Sequence, residues 1–371
     1  MSRPQVLAPY VFPRTGHEIR NRLVLAAMTN KQSHEDGTLS DDEFDWLLAR
    51  ASFGIVTTCA AHVAKDGQGW DGELGVFGAE HVPGLTRLAT ALREAGALSL
   101  AQIFHGGVRA PSRLTGRQPW SASAFELDVP NFEVPRAATE TDITRTIAAF
   151  AASARRCAEA GFDGVEIHGA HGYLITQFLG TVTNTRDDAW GGSLENRARF
   201  VREIVTAVRE ATPERFLVGV RLSPEVPDQG VVLDEALQTA QWLRDDGVDF
   251  LHVSNWESFQ PPKAHPDSDK MLTTWFREAV GPAVPVIATG GVWTPTQADA
   301  VMDHGADMVG LARAAIGNAR WPELAADAAW EPTRPPYTPE HLRGETLSDT
   351  LVGYMRNWPG FVTDGKPAPV E

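Results

Sequence analysis

The sequence predicts an α/β fold: a closed (β/α)8 TIM barrel with a long loop after its third strand and a C-terminal extension. Three observations predict it. Short apolar or β-branched runs recur eight times, most of them followed by a segment of helical spacing. Small-residue steps ending at Gly96, Gly161, Gly247 and Gly305 each stand between a helical segment and a strand, where a left-handed C-cap is expected. The alternative for such a pattern is an open doubly wound sheet, which carries Gly-x-Gly-x-x-Gly after its first strand. No such motif follows Ala27.

The predicted strands are 23–27, 54–58, 98–103, 164–167, 216–222, 249–253, 284–288 and 307–311. Predicted helices lie near 41–52, 83–95, 140–160, 194–211, 232–246, 272–280 and 294–304. Ser40 precedes Asp41-Asp42-Glu43, Thr139 precedes acidic residues, and Ser193 follows the Gly191-Gly192 turn; each can cap a first-turn amide. Two segments fall outside the repeat. Residues 105–138, rich in Arg, Pro and Ser, read as a long loop on the functional face. Residues 326–371 read as an extension packed on the barrel or on a neighbouring subunit, so that 1–325 form the barrel domain.

A chain of 371 residues suits one large barrel. With 48 acidic against 33 basic residues, its net charge of −15 repels a phosphate backbone, and no nucleic-acid partner is expected. One phosphate can still be held in a local basic pocket. The two cysteines, Cys59 and Cys157, sit in apolar stretches and read as reduced core thiols, too few for an iron–sulfur cluster. Met1-Ser2-Arg3-Pro4 has no signal-peptide character, and no run approaches the roughly 18 apolar residues of a membrane span. A cytoplasmic protein without a membrane partner is expected.

Barrel chemistry collects at the C-terminal ends of the strands. Those ends carry Met28-Thr29, Ala60, Gln102 with His105, His168, Arg221, Gly290-Gly291 and Arg313. Gly290-Gly291 can offer backbone amides and Arg313 a guanidinium fork to a phosphate between the last two strand ends. Gln102 can meet the edge of a heterocycle, and Arg221 can stabilise negative charge on a reduced ring; both fit a flavin. In His168-Gly169-Ala170-His171-Gly172-Tyr173, two imidazoles can hold an enolate oxygen while a phenol gives a proton to carbon. A zinc reading of the two histidines needs a third ligand, for which His105 is the nearby strand-end candidate, and no metal is expected. A flavin-free TIM-barrel lyase, isomerase or metal hydrolase stands as the alternative function.

Over residues 5–325 the chain resembles the Old Yellow Enzyme family of FMN-dependent ene-reductases, in its shorter bacterial branch. The resemblance rests on Asn21-Arg22-Leu23-Val24 leading to Met28-Thr29, and on Gln102-Ile103-Phe104-His105-Gly106-Gly107. It continues through His168–Tyr173 with Leu174-Ile175-Thr176-Gln177-Phe178-Leu179, then Asn184–Arg197, Arg221, Gly290-Gly291 and Gly310-Leu311-Ala312-Arg313. It implies a barrel that binds FMN, takes hydride from NADPH or NADH, and reduces a small activated alkene. Ala26, Ala27, Met28 and Thr29 would border the flavin ring, Ala60 and Gln102 would meet its pyrimidine edge, and Arg221 would lie near N1. Gly291 and Arg313 would hold the phosphate, and Gly290 and Ala312 would also bind the cofactor. His168 and His171 would bind the substrate oxygen, and Tyr173 would be the proton donor. A homodimer or homotetramer is implied as well. Two positions depart from the branch: Thr29 stands where many members have cysteine, and Lys31 where they have tyrosine. The aromatics Tyr354, Trp358 and Phe361 are expected to pack on the chain's own barrel, with closure of a neighbouring subunit's pocket as the other possibility.

Overall fold

In the computed structural model, residues 4–128, 132–327 and 329–364 are described. Parts of the expected long loop (129–131) and extension (328 and 365–371) lie outside them. Eight parallel strands form the barrel: β1 (Leu23–Leu25), β2 (Ile55–Thr57), β3 (Leu98–Phe104), β4 (Gly164–Gly169), β5 (Leu217–Leu222), β6 (Phe250–Ser254), β7 (Val286–Thr289) and β8 (Met308–Leu311). Each pairs with the next, and β8 returns to β1 through Val309 opposite Leu23, which closes the sheet. Every predicted strand is present. The first is shorter than expected because the chain leaves the ladder after Leu25: Ala26 still donates its N–H to Leu311, but the Ala27 carbonyl accepts from the Arg221 side chain.

The seven predicted helices are α1 (Asp41–Leu48), α2 (Val82–Glu94), α3 (Glu140–Ala160), α4 (Leu194–Ala211), α5 (Leu233–Asp245), α6 (Leu272–Val280) and α7 (Pro295–Asp303). Their starts are capped as the side chains dictate. Ser40 and Ser193 accept from the amides of Glu43 and Asn196, and Thr139 with Asp142 forms a reciprocal capping box. Gly96, Gly161, Gly247 and Gly305 all have positive φ, as a left-handed helix stop requires. Sequence spacing missed the shorter pieces, which have too few residues to show a period: a hairpin of Tyr10–Val11 with Glu18–Ile19, and helices Leu174–Leu179, Arg313–Ile316, Pro339–Gly344 and Asp349–Met355.

The barrel interior changes character along its axis. At the N-terminal end Val24, Ile55, Leu98, Leu100, Leu217, Phe250, Ile287 and Met308 form an apolar plug, sealed by Phe12 and Ile19 of the hairpin. Gly219 allows it: a Cβ there would fall 2.2 Å from the Phe250 ring. Above the plug the inward residues turn polar. Gln102, Glu166, His252 and Thr289 are buried and joined by hydrogen bonds. Above them the barrel opens into a cavity.

The C-terminal extension docks on this same barrel. Arg50, at the end of α1, is fully buried and donates to the carbonyls of Trp46, Ala315, Ile316 and Glu345. Burial lowers its pKa to about 9. The fork therefore ties α1 to the short helix Arg313–Ile316 after β8 and to the extension, whose Tyr354, Met355, Trp358 and Phe361 stand in the cavity wall.

Candidate active site

The cavity sits at the C-terminal mouth of the barrel. Of the residues predicted for the site, Ala27, Met28, Thr29, Ala60, Gln102, His168, His171, Tyr173, Arg221, Gly290, Gly291, Ala312 and Arg313 line it. Ala26 is not among them; it is buried one residue below the wall. His105 does not join the other histidines: its Nε2 faces Asp66 at 3.6 Å and its ring packs on Trp120. Among the described residues no group of three or more His, Cys, Asp or Glu is arranged to hold a metal ion.

The turn after β4 presents the two histidines and the tyrosine. His171 has φ 60°, a left-handed conformation that a non-glycine residue adopts at a cost of about 1–3 kcal/mol. Two contacts offset it: the His171 amide donates to Ser223 Oγ at 3.0 Å, and its Nε2 meets Ser254 Oγ at 2.7 Å. The His168 and His171 rings lie 5.0 Å apart, and His168 lies 5.1 Å from the Tyr173 ring. Tyr173 is further enclosed by Phe104 and Trp70, with the Arg109 guanidinium 5.3 Å above its face.

Burial, reinforced by Arg221, pushes both imidazoles well below their usual pKa; the two rings also repel one another's charge at His168. Both are neutral near pH 7. His168 Nδ1 accepts from the Ala170 amide at 3.3 Å, so the proton sits on Nε2. Ser254 Oγ accepts from Arg221 Nη2 at 3.0 Å and meets His171 Nε2 at 2.7 Å; with one proton and two lone pairs, that hydroxyl can serve either tautomer of the ring. Each ring is neutral and carries one N–H. Burial raises the Tyr173 pKa, opposed by Arg109 and aided by Glu73, so the phenol holds its proton.

At the far end of the cavity lies an anion cradle. Gly290 and Gly291 follow β7 with φ 150° and 65°. A Cβ on Gly291 would fall 1.9 Å from Glu257 Oε2, and the same carboxylate accepts from Arg313 Nη2 at 3.2 Å. The Glu257 carboxylate therefore lies close to the turn and is paired with Arg313, and a guanidinium beside a glycine turn has the donors a phosphate group would need in its place. Between cradle and histidines stand Arg221, whose Nε is buried without a partner, and Gln102, whose Nε2 is committed to Glu166. A cation and an amide acceptor thus face the middle of the cavity. This donor set fits FMN along its whole length.

Several wall residues were not anticipated. Ser254 bridges His171 to Arg221 and stands at the end of β6, the one strand end for which no site residue was predicted. Trp70, Trp293 and the exposed Trp256 also line the cavity from loops, where spacing carries no signal.

Comparison with known proteins places this geometry. Residues 12–329 match the NADH:flavin oxidoreductase / NADH oxidase family, and the chain belongs to that family. It is 38% identical over 319 residues, 84% of this chain and 85% of the other, to the Bacillus subtilis protein named "probable NADH-dependent flavin oxidoreductase YqiG". It is 35% identical over 362 residues, 95% of this chain and 98% of the other, to an NADPH dehydrogenase of Geobacillus sp. (strain WCH70). Among solved structures, an Old Yellow Enzyme homologue from Zymomonas mobilis superposes with a TM-score of 0.81 at 27% identity, covering 92% of this chain and 99% of that one. The protein is an NAD(P)H-dependent flavin oxidoreductase of the Old Yellow Enzyme family, with FMN as its cofactor.

Proposed function

We propose that the enzyme reduces the C=C bond of α,β-unsaturated ketones, aldehydes, imides or nitroalkenes. The observation that carries this reading is the meeting of His168, His171 and Tyr173 on one wall of a cavity whose opposite end is an anion cradle. When bound, FMN would supply the two-electron hydride chemistry that links NADPH or NADH to the alkene.

Each side chain then has one task. Gly290, Gly291, Ala312 and Arg313 would hold the phosphate; Ala27, Met28 and Thr29 would border the ring with Ala26 buried behind them, and Ala60 and Gln102 would face its pyrimidine side. Arg221 sits where negative charge grows on reduction. His168 Nε2–H and, in the tautomer in which Ser254 donates to its Nε2, His171 Nδ1–H donate to the carbonyl or nitro oxygen, drawing charge toward it and lowering the barrier at the β-carbon. Tyr173 gives its phenolic proton to the α-carbon and regains one from solvent. The sum is one NAD(P)H and one proton consumed per alkene saturated.

Tyr173→Phe separates the two half-reactions. We expect it to slow the alkene step by about 10²-fold or more, the usual worth of a general acid, while reduction of bound FMN by NAD(P)H keeps its rate. Stopped-flow traces in which the alkene step is unaffected would remove Tyr173 from this role. On the same reading residues 1–325 form the FMN-binding barrel, residues 326–371 an extension, and the assembly is a homodimer or homotetramer, which size-exclusion with light scattering tests directly.

A further inference from the structure

From Gln102 and Thr289 in the cavity wall a buried chain of hydrogen bonds runs to Glu166 and His252, two groups that the reaction itself does not touch. Glu166, on β4 two residues before His168, is fully buried. Its Oε1 accepts from Gln102 Nε2 at 2.6 Å, and its Oε2 pairs with His252 Nδ1 at 2.6 Å. His252 Nε2 in turn meets Thr289 Oγ1 at 2.6 Å. The strand register explains the grouping: Gln102 lies opposite Glu166 on β3, while His168 and His252 flank Arg221 on either side of β5.

We propose that Glu166 is a positioning residue that sets both the orientation of the Gln102 amide and the electrostatic balance of Arg221 beneath the FMN ring. It rests on the ring placement proposed above. A carboxylate offers only acceptors, so Gln102 must turn its NH2 down toward Glu166 and present its carbonyl oxygen to the cavity. His252 must likewise place its proton on Nδ1, which leaves Nε2 to accept the Thr289 hydroxyl. One anion thus determines the direction of every donor in the chain. Glu166 is also the buried counter-charge to Arg221, which has no carboxylate among its own hydrogen-bond partners. Burial alone would raise the Glu166 pKa; His252, Arg221 and Gln102 outweigh it and keep the carboxyl below its ordinary value. The field at the ring is therefore that of a neutralised pair rather than of a bare guanidinium.

The test uses the FMN-loaded full chain and reads the midpoint potential and the FMN dissociation constant, not turnover. Glu166→Gln keeps the volume and removes the charge. The uncompensated Arg221 then favours the reduced, more negative ring, and the two-electron equilibrium is expected to shift at least about tenfold, an upward move of about 30 mV. Glu166→Asp keeps the charge but withdraws it from Gln102; the potential should stay near wild type while FMN binding weakens about fivefold. If Glu166→Gln yields no folded protein, Glu166→Asp still decides, because unaltered FMN affinity in it overturns the orienting role. Glu166→Gln with FMN bound at an unchanged potential overturns the electrostatic role, and a purely structural Glu166 would give that result with lowered thermal stability. Wild-type protein that binds no FMN would instead overturn the site reading itself.

Discussion

Arg313 shows how far one side chain's role follows from its surroundings. It stands at the end of β8, its guanidinium pairs with Glu257, and its other face lies 5.2 Å from the Trp256 ring. On the proposed reading, this guanidinium would exchange the Glu257 carboxylate for the doubly charged phosphate of FMN. Charged hydrogen bonds of this kind contribute about 1.5–3 kcal/mol, so Arg313→Ala is expected to weaken FMN binding by roughly 10- to 100-fold. Flavin retained through gel filtration measures it, and full retention would assign the phosphate to the backbone amides alone. His168 and His171 carry a related lesson. Their protonation state comes from burial and from Arg221, while the Ala170 amide places the His168 proton on Nε2 and Ser254 engages Nε2 of His171.

At the scale of an element, the turn after β7 is the most constrained part of the site. Gly291 combines φ 65° with a space already taken by a carboxylate, so alanine there would be strained and would project its methyl into the cradle. Gly291→Ala is expected to lower FMN affinity by two orders of magnitude or more, in keeping with about 3 kcal/mol from lost anion contacts and backbone strain. Because the turn faces the cavity rather than the core, circular dichroism should show an intact barrel. Loss of the fold would mean that the turn matters to the barrel itself. The β4 turn differs in being strained at His171, a residue that cannot be replaced by glycine without losing the imidazole. Its stability comes from Ser223, Ser254 and the Gln177 and Gln229 amides that clasp the Gly172 carbonyl.

For the whole molecule, the buried histidines govern the response to acid. Burial lowers the His62 pKa to about 4 and also lowers those of His105, His168, His171 and His252, whereas the unfolded chain titrates near 6.5. Below that value the unfolded chain binds protons that the folded one excludes. The histidines' share of the stability is therefore fully present above about pH 6.5 and is lost as the pH falls toward 4, at up to about 1.4 kcal/mol per pH unit for each histidine that stays neutral, while the buried carboxyls of Glu43 and Glu73, whose pKa burial raises, act in the opposite sense. Thermal melts across this window should show a falling midpoint; a flat or rising profile would mean that Glu43 and Glu73 outweigh the histidines.

The barrel was legible because its signals are local. Apolar runs of strand length, hydroxyl caps and positive-φ glycines act within a few residues of one another, and all eight strands and seven long helices follow from them. The strand-end rule likewise located most of the cavity wall, since a closed barrel brings all eight ends to one mouth. Three things only the tertiary structure decided: that Ser254 joins His171 to Arg221, that Glu166 and His252 form one chain with Gln102, and that Tyr354, Trp358 and Phe361 wall the chain's own cavity. These depend on inter-strand register and on how a fully buried Arg50 anchors the extension. Spacing along one strand cannot encode which residue will stand opposite on the next.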